Sequence, residues 1–407
     1  MDELRATAVQ ERIPLLDVLR GFALIGIFLA NLVSFFGYYY LDFGQVKSLP
    51  LIERVVLFAV DWLVEGKFYA LFSFLLGAGF ALQLERARLK GVPFLPFWYR
   101  RMGVLLLIGL IHMYFIWYGD ILTLYALLGF LLPLFLSWSS RQLFIAIAIL
   151  LALPMAIHAV TVATADAAFW SSSARFAAEL RNAWGLEGQS TMGLLLSDQA
   201  RDVWLANILG ALQRPMSYLL SGRYVQVLGF FLLGALFTRL VLPLWRNGQN
   251  VPTRWWVASM LAGLLSSAAY AWTKALTTTP YSADVLGLFQ GLVYHIGCVT
   301  LMLGYVGAAA WLWQHGTFKS LLSQLAVLGR MPLTSYVTQT VLGVLLFYGY
   351  GAGLLGKLPY TLLPPLAAIV IFLQWAFATF WLQRYDQGPL EAFWRNLSYG
   401  PPRERLS

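Results

Sequence analysis

The chain has 407 residues, of which 59% are hydrophobic and only 12% are charged. Soluble globular domains carry about 25% charged residues, so this composition excludes an ordinary water-soluble domain and predicts an all-α integral membrane protein. The formal net charge is +9, but the basic residues stand at the ends of apolar runs, which excludes nucleic acid as a partner and leaves the lipid bilayer.

Ten apolar segments are predicted to cross the bilayer, because a helical span needs about 20 apolar residues. In chain order they cover 13–37, 54–83, 101–118, 120–137, 142–164, 223–243, 254–273, 285–313, 331–350 and 361–383. Short loops rich in Lys and Arg alternate with short loops that are poor in them. This alternation predicts one multi-pass domain over residues 1–407, with both termini cytoplasmic, in the inner membrane of the cell.

The segment 166–222 is predicted to be the one long loop on the non-cytoplasmic side. It is interpreted as a connecting loop, with a binding role as the alternative, and part of 197–220 could form an interfacial amphipathic helix. A weak internal echo joins Phe74–Phe80 (FLLGAGF) and Phe231–Phe237 (FLLGALF), but apolar helices converge easily on such strings. The single cysteine excludes an intramolecular disulfide, and the four histidines lack the spacing of a metal motif.

Polar residues inside spans are costly and usually face a bundle interior or a wet cavity, so they identify candidate sites. In the first span, Asp17 and Arg20 are three residues apart and share a helix face. They form either a structural salt bridge or a pair in which Arg20 receives an anionic ligand. Asn31 falls on nearly the same stripe, and Gly21 would let a neighbouring helix approach closely.

The second predicted span contains Asp61, Glu65, Gly66 and Lys67 in close succession. Gly66 is a candidate helix break that would allow backbone groups to line a cavity. Glu65 and Lys67 either neutralise each other at the interface or belong to a site.

The sharpest polar signal is His112, eleven residues past Arg101. At about 1.5 Å of rise per residue it lies some 16 Å deep, near the middle of the bilayer. A histidine there is either a helix-packing residue or a general base, which suits an imidazole near neutral pH. Asp120 either orients this base or a substrate, or caps the next span, and Tyr125 follows within that span.

The ninth predicted span opens with Arg330 and Pro332, followed by Tyr336 and Gln339. Pro332 suits the first turn of a helix, and the free amides there together with Arg330 would form an anion site. The alternative is that Arg330 only sets topology.

Five blocks of this sequence, in order, resemble the DUF418 family of bacterial membrane proteins. They are Leu16–Ile27 with Asn31, Lys67–Gly77, Gly109–His112 with Gly119–Gly129, Gly329–Gln339, and Gly388–Arg395. The family usually has Asn where this chain has Ser335. The opening helix with Asp17, Arg20 and Gly21 is also distantly similar to a transmembrane acyltransferase superfamily that includes heparan glucosaminide acetyltransferase.

That resemblance implies a membrane-bound acyltransferase that takes an acyl group from cytoplasmic acyl-CoA, with acetyl-CoA as the first donor expected. The acceptor would be a small molecule, a glycan or a lipid-linked hydroxyl or amine. The expected roles are catalysis by His112, Asp120 and Tyr125. Asp17, Arg20, Lys67 and Arg330 are expected to bind acyl-CoA. Asn31, Tyr336 and Gln339 are expected to bind substrate.

In heparan glucosaminide acetyltransferase, the lysosomal member of that superfamily, the catalytic histidine lies between the first two conserved spans. This chain has no histidine there, so His112 would serve from another helix. A transporter or flippase for an anionic or lipid-linked solute, and a non-catalytic partner or sensor, are the alternatives. A homo-oligomer is left open.

Overall fold

All the regular structure described in this chain is helical. The computed structural model describes residues 13–164, 167–247, 249, 252–277, 282 and 284–399, and no strand occurs in them. The α-helices are α1 (Pro14–Phe35), α2 (Phe43–Ser48), α3 (Leu51–Leu63), α4 (Lys67–Leu89), α5 (Phe94–Ile111), α6 (Leu122–Gly129), α7 (Ser140–Thr164), α8 (Ala167–Ala183), α9 (Thr191–Leu195), α10 (Ala200–Leu220), α11 (Arg223–Leu240), α12 (Leu242–Arg246), α13 (Thr253–Leu276), α14 (Val285–Gln314), α15 (Lys319–Gly329), α16 (Pro332–Phe347), α17 (Leu363–Leu382) and α18 (Pro389–Tyr399). The predicted all-α class is confirmed.

Within the described residues, six helical runs are long and apolar enough to cross a membrane. They are Pro14–Tyr40, Phe94–Ile116, Ser140–Thr164, Arg223–Leu240, Val285–Gln314 and Tyr360–Leu382, and the apolar α16 is shorter. Large hydrophobic side chains such as Phe144, Ile149, Phe372 and Phe377 are exposed on α7 and α17. Exposed apolar surface of this kind suits lipid, which supports a multi-pass membrane protein. The count of ten spans and the placement of the termini stay predictions.

Two predicted spans are not continuous helices. The segment 54–83 is divided into α3 and α4 at Gly66, whose φ of 84° lies in the left-handed region. The expected break at this glycine is therefore confirmed, and a side chain there would also collide with Tyr294 and Cys298. The segment 120–137 contains α6, of only 8 residues, and a 3₁₀ turn at Leu132–Phe135. An eight-residue helix is about 12 Å long and cannot cross a bilayer core of about 30 Å by itself.

The segment predicted as a long loop, 166–222, is mostly helical. It contains α8, α9 and α10, and Val203, Asn207 and Ala211 of α10 are buried in the bundle. The helix considered within 197–220 is present as α10, but it packs into the protein instead of only connecting two spans. The placement of 166–222 on the non-cytoplasmic side stays a prediction. The helices α15 and α18 were also missed.

Glycines allow the central helices to approach backbone to backbone. A Cβ on Gly77 of α4 would lie 2.7 Å from Phe231 Cα, and a Cβ on Gly234 of α11 would lie 2.8 Å from the carbonyl carbon of Phe74. The two echoing segments thus pack reciprocally on each other. Gly21 of α1 meets Leu325 of α15 in the same manner, which confirms the expected close approach of another helix.

Candidate functional site

A cavity of about 320 Å³ opens between α1, α4, α5, α16 and α18. Ligand pockets usually enclose about 300–1,000 Å³, so this volume lies at the lower end of that range. Its deeper walls are apolar, from residues such as Ile27, Phe72 and Leu105, and its inner part reaches Tyr125 and Tyr336. The cavity therefore offers an apolar path that ends at two phenols.

The other part of the cavity wall, which we call the basic end, carries five arginines against two carboxyl groups. The arginines are Arg20, Arg86, Arg101, Arg330 and Arg395, and the carboxyl groups belong to Asp17 and Glu391. Clustered charge of one sign in a low-dielectric cleft attracts ligands of the opposite sign. The basic end is therefore suited to an anionic group such as a phosphate.

Three arginines of the basic end have neighbours that hold them in place, and one of these neighbours is a carboxylate. Arg20 donates to Asp17 Oδ1 at 2.5 Å, which confirms the predicted pair. The Arg101 guanidinium stacks 3.6 Å from the centre of the Trp394 ring. Arg395 donates to the Gln387 side chain at 3.0 Å, an uncharged partner.

Three buried polar atoms of the cavity wall have no hydrogen-bond partner among the described residues, namely Arg330 Nε, Gln83 Oε1 and the Tyr336 hydroxyl. The Tyr336 hydroxyl lies near the Ile121 backbone, but without good hydrogen-bond geometry. A buried polar group without a partner costs about 1–3 kcal/mol, so such groups usually meet water or a ligand.

The amides at the start of α16 are not free, contrary to the expected anion site. The Glu391 carboxylate accepts from Leu333 N at 2.6 Å, from Thr334 N at 3.0 Å and from the Thr334 hydroxyl at 2.6 Å. Glu391 thereby joins α18 to the first turn of α16. Pro332 occupies that first turn as predicted, and Arg330 is left as the group that faces the cavity.

His112 and Asp120 form a buried pair next to the inner end of the cavity. His112 Nδ1 lies 3.0 Å from Asp120 Oδ1, and both side chains are almost fully buried. The contact does not have good hydrogen-bond angles, and Nε2 has no partner in the described residues. The carboxylate also accepts from Leu122 N at 3.1 Å and Thr123 N at 2.7 Å, so Asp120 caps α6 as well.

Tyr336 stands between this pair and the cavity. Its ring centre lies 5.2 Å from that of His112, and Tyr336 lines the cavity while His112 and Asp120 do not. The carboxylate beside Nδ1 favours a proton on that nitrogen, which leaves Nε2 able to accept one.

The helix that carries His112 changes its winding at that residue. His112–Ile116 form a π-helical turn after α5, a distortion that often marks functional sites. Asn207 of α10 holds this turn, because its amide donates to the carbonyls of Met113 at 2.9 Å and Tyr114 at 3.0 Å. Its side-chain oxygen accepts from Tyr118 N at 2.6 Å.

Other predicted site residues lie outside the cavity wall. Lys67 is buried at the end of α4 opposite Arg86, about 28 Å away along the helix, and donates to the Asp61 carbonyl at 2.9 Å. Gln339 donates to Gln374 at 2.9 Å and so joins α16 to α17. Asn31 is half-buried on α1 and does not line the cavity.

Tyr125 does line the cavity. Its hydroxyl donates to the Tyr69 carbonyl at 3.0 Å and lies 2.9 Å from Ser73 Oγ. The structure therefore brings together Asp17, Arg20, Arg330, Tyr125 and Tyr336, with His112 and Asp120 directly behind Tyr336.

Several residues of the site were not singled out from the sequence. Arg86, Arg101 and Arg395 were counted as topology signals and given no role in a site, and Asn207 lies in the segment interpreted as a loop. An amide in a mostly apolar helix was the one available signal for Asn207.

The fold and the site define a multi-pass helical membrane protein with an arginine-lined cavity beside a buried His–Asp pair. The family model described as "Protein of unknown function (DUF418)" matches residues 244–401, which confirms the predicted resemblance to DUF418 over that part of the chain.

Relatives extend the similarity to almost the full chain. Uncharacterized protein YxaH of Bacillus subtilis (strain 168) is 28% identical over 98% of this chain and 97% of its own length. Uncharacterized protein YeiB of Escherichia coli (strain K12) is 28% identical over 95% of this chain and 96% of its own length. No solved structure matches.

Proposed function

We propose that the protein is a membrane-bound acyltransferase of the bacterial inner membrane. Acyl-CoA, with acetyl-CoA as the first donor to test, would enter from the cytoplasm at the basic end. The acyl group would pass to a hydroxyl or amine of a small-molecule, glycan or lipid-linked acceptor. Both chain termini and the basic end would then face the cytoplasm.

The observation that carries this proposal is the order of groups along the cavity. Arginines surround one part of it, apolar side chains form the next, and Tyr336 at the inner part touches His112. An acyl-CoA has its charges in the same order, with phosphates at one end and an uncharged thioester at the other. Arginine is the side chain best suited to bind phosphate by paired hydrogen bonds.

The chemistry assigned to His112 follows from its two nitrogens. With a proton on Nδ1 beside Asp120, Nε2 accepts the proton of the acceptor hydroxyl or amine. The acceptor oxygen or nitrogen then bonds to the thioester carbonyl carbon, and the carbon–sulfur bond breaks. The CoA thiolate takes the proton back from the imidazolium. Rotation of the Tyr336 ring away from His112 would connect the cavity with His112. The Tyr336 hydroxyl has no good hydrogen bond that would resist this movement.

The proposal is tested on purified protein in phosphatidylcholine nanodiscs, with acetyl-CoA binding and slow hydrolysis as readouts. His112→Ala should lower the hydrolysis rate by about 10²- to 10⁴-fold, the usual contribution of a general base. His315→Ala is the matched control, because His315 is exposed, its Nδ1 hydrogen-bonds the Trp311 carbonyl and its ring stacks on the Trp311 ring. Arg20→Gln with Arg330→Gln should weaken acetyl-CoA binding. No binding by the wild type, or equal rates for both histidine variants, would contradict the proposal.

A transporter is the second candidate, favoured by one specific observation. Hydrogen-bonding groups continue from the cavity past its inner end, because the Tyr125 hydroxyl donates to the Tyr69 carbonyl and the Tyr69 hydroxyl donates to Gln226 at 3.0 Å. Gln226 in turn contacts His295. Uptake of an anionic solute by proteoliposomes without an acyl donor would favour this candidate over the enzyme.

A further inference from the structure

A second basic cluster lies on the other side of the His112–Asp120 pair from the cavity. Arg214 of α10 has its guanidinium 5.2 Å from the centre of the Tyr218 ring and 5.8 Å from that of Tyr118. Arg223, the first residue of α11, lies 3.8 Å from the centre of the Tyr69 ring. The two arginines are close enough to repel each other electrostatically. We call these two arginines and three tyrosines the distal arginine cluster.

The charge of this cluster is not matched by an ion pair in the described residues. Neither arginine has a carboxylate within 4.0 Å there, although Glu65 acts on Arg223 from farther away. Arg214 Nε is buried without a hydrogen-bond partner among those residues. Arg214 and Arg223 are both half-buried. Two neighbouring guanidinium groups that are partly removed from water without a counter-charge are unfavourable, and a bound anion would relieve this cost.

The start of α11 adds further donors to the cluster. Gly222 precedes the helix with φ 64°, and no side chain caps it. The first amides of a helix without a cap are free to donate, and the helix dipole favours negative charge at that end. Together with the unpaired Arg214 Nε, these amides make the cluster suited to an oxyanion.

The distal arginine cluster is directly joined to the His112–Asp120 pair. The Tyr218 side chain interacts electrostatically with both arginines, and its hydroxyl donates to the Asp120 carbonyl at 2.8 Å. Asn207, on the same helix as Arg214, holds Tyr118 N and the carbonyls of the π-helical turn. An anion bound at the cluster would thus lie next to the residues that the proposed function uses, opposite the basic end.

We propose that Arg214 and Arg223 bind an oxyanion group of the acceptor, a phosphate, sulfate or carboxylate, and so direct its hydroxyl or amine towards His112. This inference rests on the proposed function, because it assigns the acceptor of that reaction. The anion belongs either to a soluble hydroxyl-bearing molecule or to a lipid headgroup, and the two sources share the same recognition chemistry.

Binding to the double variant Arg214→Gln/Arg223→Gln tests the assignment. One arm titrates glycerol 3-phosphate into protein in phosphatidylcholine nanodiscs by calorimetry. The other arm counts phosphatidylglycerol bound to the protein by native mass spectrometry. At least one probe should bind the wild type and lose 10-fold or more in affinity in the double variant. The arm that responds identifies a soluble or a lipid source.

Two controls separate this site from the basic end and from general effects of charge. Arg239→Gln removes a cation at the other end of α11, where Arg239 donates to the Trp138 carbonyl at 2.7 Å, and should bind like the wild type. Arg20→Gln/Arg330→Gln should also retain probe binding. If Arg214→Gln/Arg223→Gln does not fold, Arg214→Lys/Arg223→Lys keeps the charges and should show a smaller loss.

Failure of the site and failure of the enzyme proposal give different results. Equal probe binding by wild type and Arg214→Gln/Arg223→Gln, or no binding of either probe to the wild type, overturns the distal site. Neither result affects the acyltransferase proposal, which is tested separately by acetyl-CoA hydrolysis. Probe binding that depends on Arg214 and Arg223, in a protein that never binds acetyl-CoA, retains the anion site and overturns the acyltransferase.

Discussion

Gly77→Ala should destabilise the protein through the contact between α4 and α11. The added methyl carbon would lie 2.7 Å from Phe231 Cα and closer still to the Phe231 carbonyl oxygen, whereas ordinary van der Waals contact begins near 3.4 Å. Backbone atoms of a helix cannot rotate away as a side chain can, so the helices would have to separate by about 1 Å. Overpacking of this kind costs about 1–3 kcal/mol.

Gly79→Ala is the matched control in the same helix and the same Gly-Ala-Gly sequence. A Cβ on Gly79 meets nothing within 4 Å, so this change should be neutral or slightly stabilising, because alanine favours the helix. The assay is thermal unfolding of both variants in one detergent, followed by size-exclusion chromatography. Equal melting temperatures for the two variants would refute the close α4–α11 contact.

Changes at three further positions test other contacts. Glu391→Ala removes the acceptor for Leu333 N and Thr334 N and should cost about 1–3 kcal/mol of unfolding free energy, measured by thermal unfolding. Burial raises the pKa of the Glu391 carboxyl, so the folded protein holds this proton more tightly than the unfolded chain. Stability should therefore fall as the pH rises above 4.5, and Glu391→Gln should flatten this dependence in a pH series of melting curves. Gly66→Ala places a side chain at φ 84° against Tyr294. The left-handed conformation alone costs about 1–2 kcal/mol of unfolding free energy, and the collision with Tyr294 should add to this loss. Unchanged thermal stability would argue against the helix break at Gly66. Asn207→Leu leaves the π-helical carbonyls without their donor and should lower both the melting temperature and any activity that depends on His112, whereas loss of neither would deny Asn207 a role.

Periodicity and glycine chemistry explain the parts of the fold that could be predicted. The long apolar runs of α1, α7 and α14 exceed the length that a bilayer requires, so their helical state follows from composition alone. The break at Gly66 and the pairing of Asp17 with Arg20 depend on neighbouring residues, which the sequence displays directly.

Short and mixed segments were less predictable because their helical state depends on packing. The helix α10 is not strongly apolar, and its place in the bundle depends on contacts such as that of Asn207 with the π-helical turn. The segment 120–137 begins where Asp120 caps α6 beside His112, and α6 already ends at Gly129. A hydropathy pattern describes one stretch of chain at a time, so it does not show that Asn207 contacts the π-helical turn or that Asp120 contacts His112.

By itself the sequence determined the membrane class and the all-α fold, and it identified most of the charged or titratable residues that lie within the helical bundle. These properties follow from composition and from local spacing, because lipid admits few polar groups and requires backbone hydrogen bonds to be made within helices. Only the tertiary structure decided which polar residues meet. In the tertiary structure Lys67 lies away from Arg20, and the first amides of α16 donate to Glu391. His112 is linked to α10 because its partner Asp120 accepts a hydrogen bond from Tyr218. Such meetings depend on how helices distant in the chain rotate and pack, which no local pattern records.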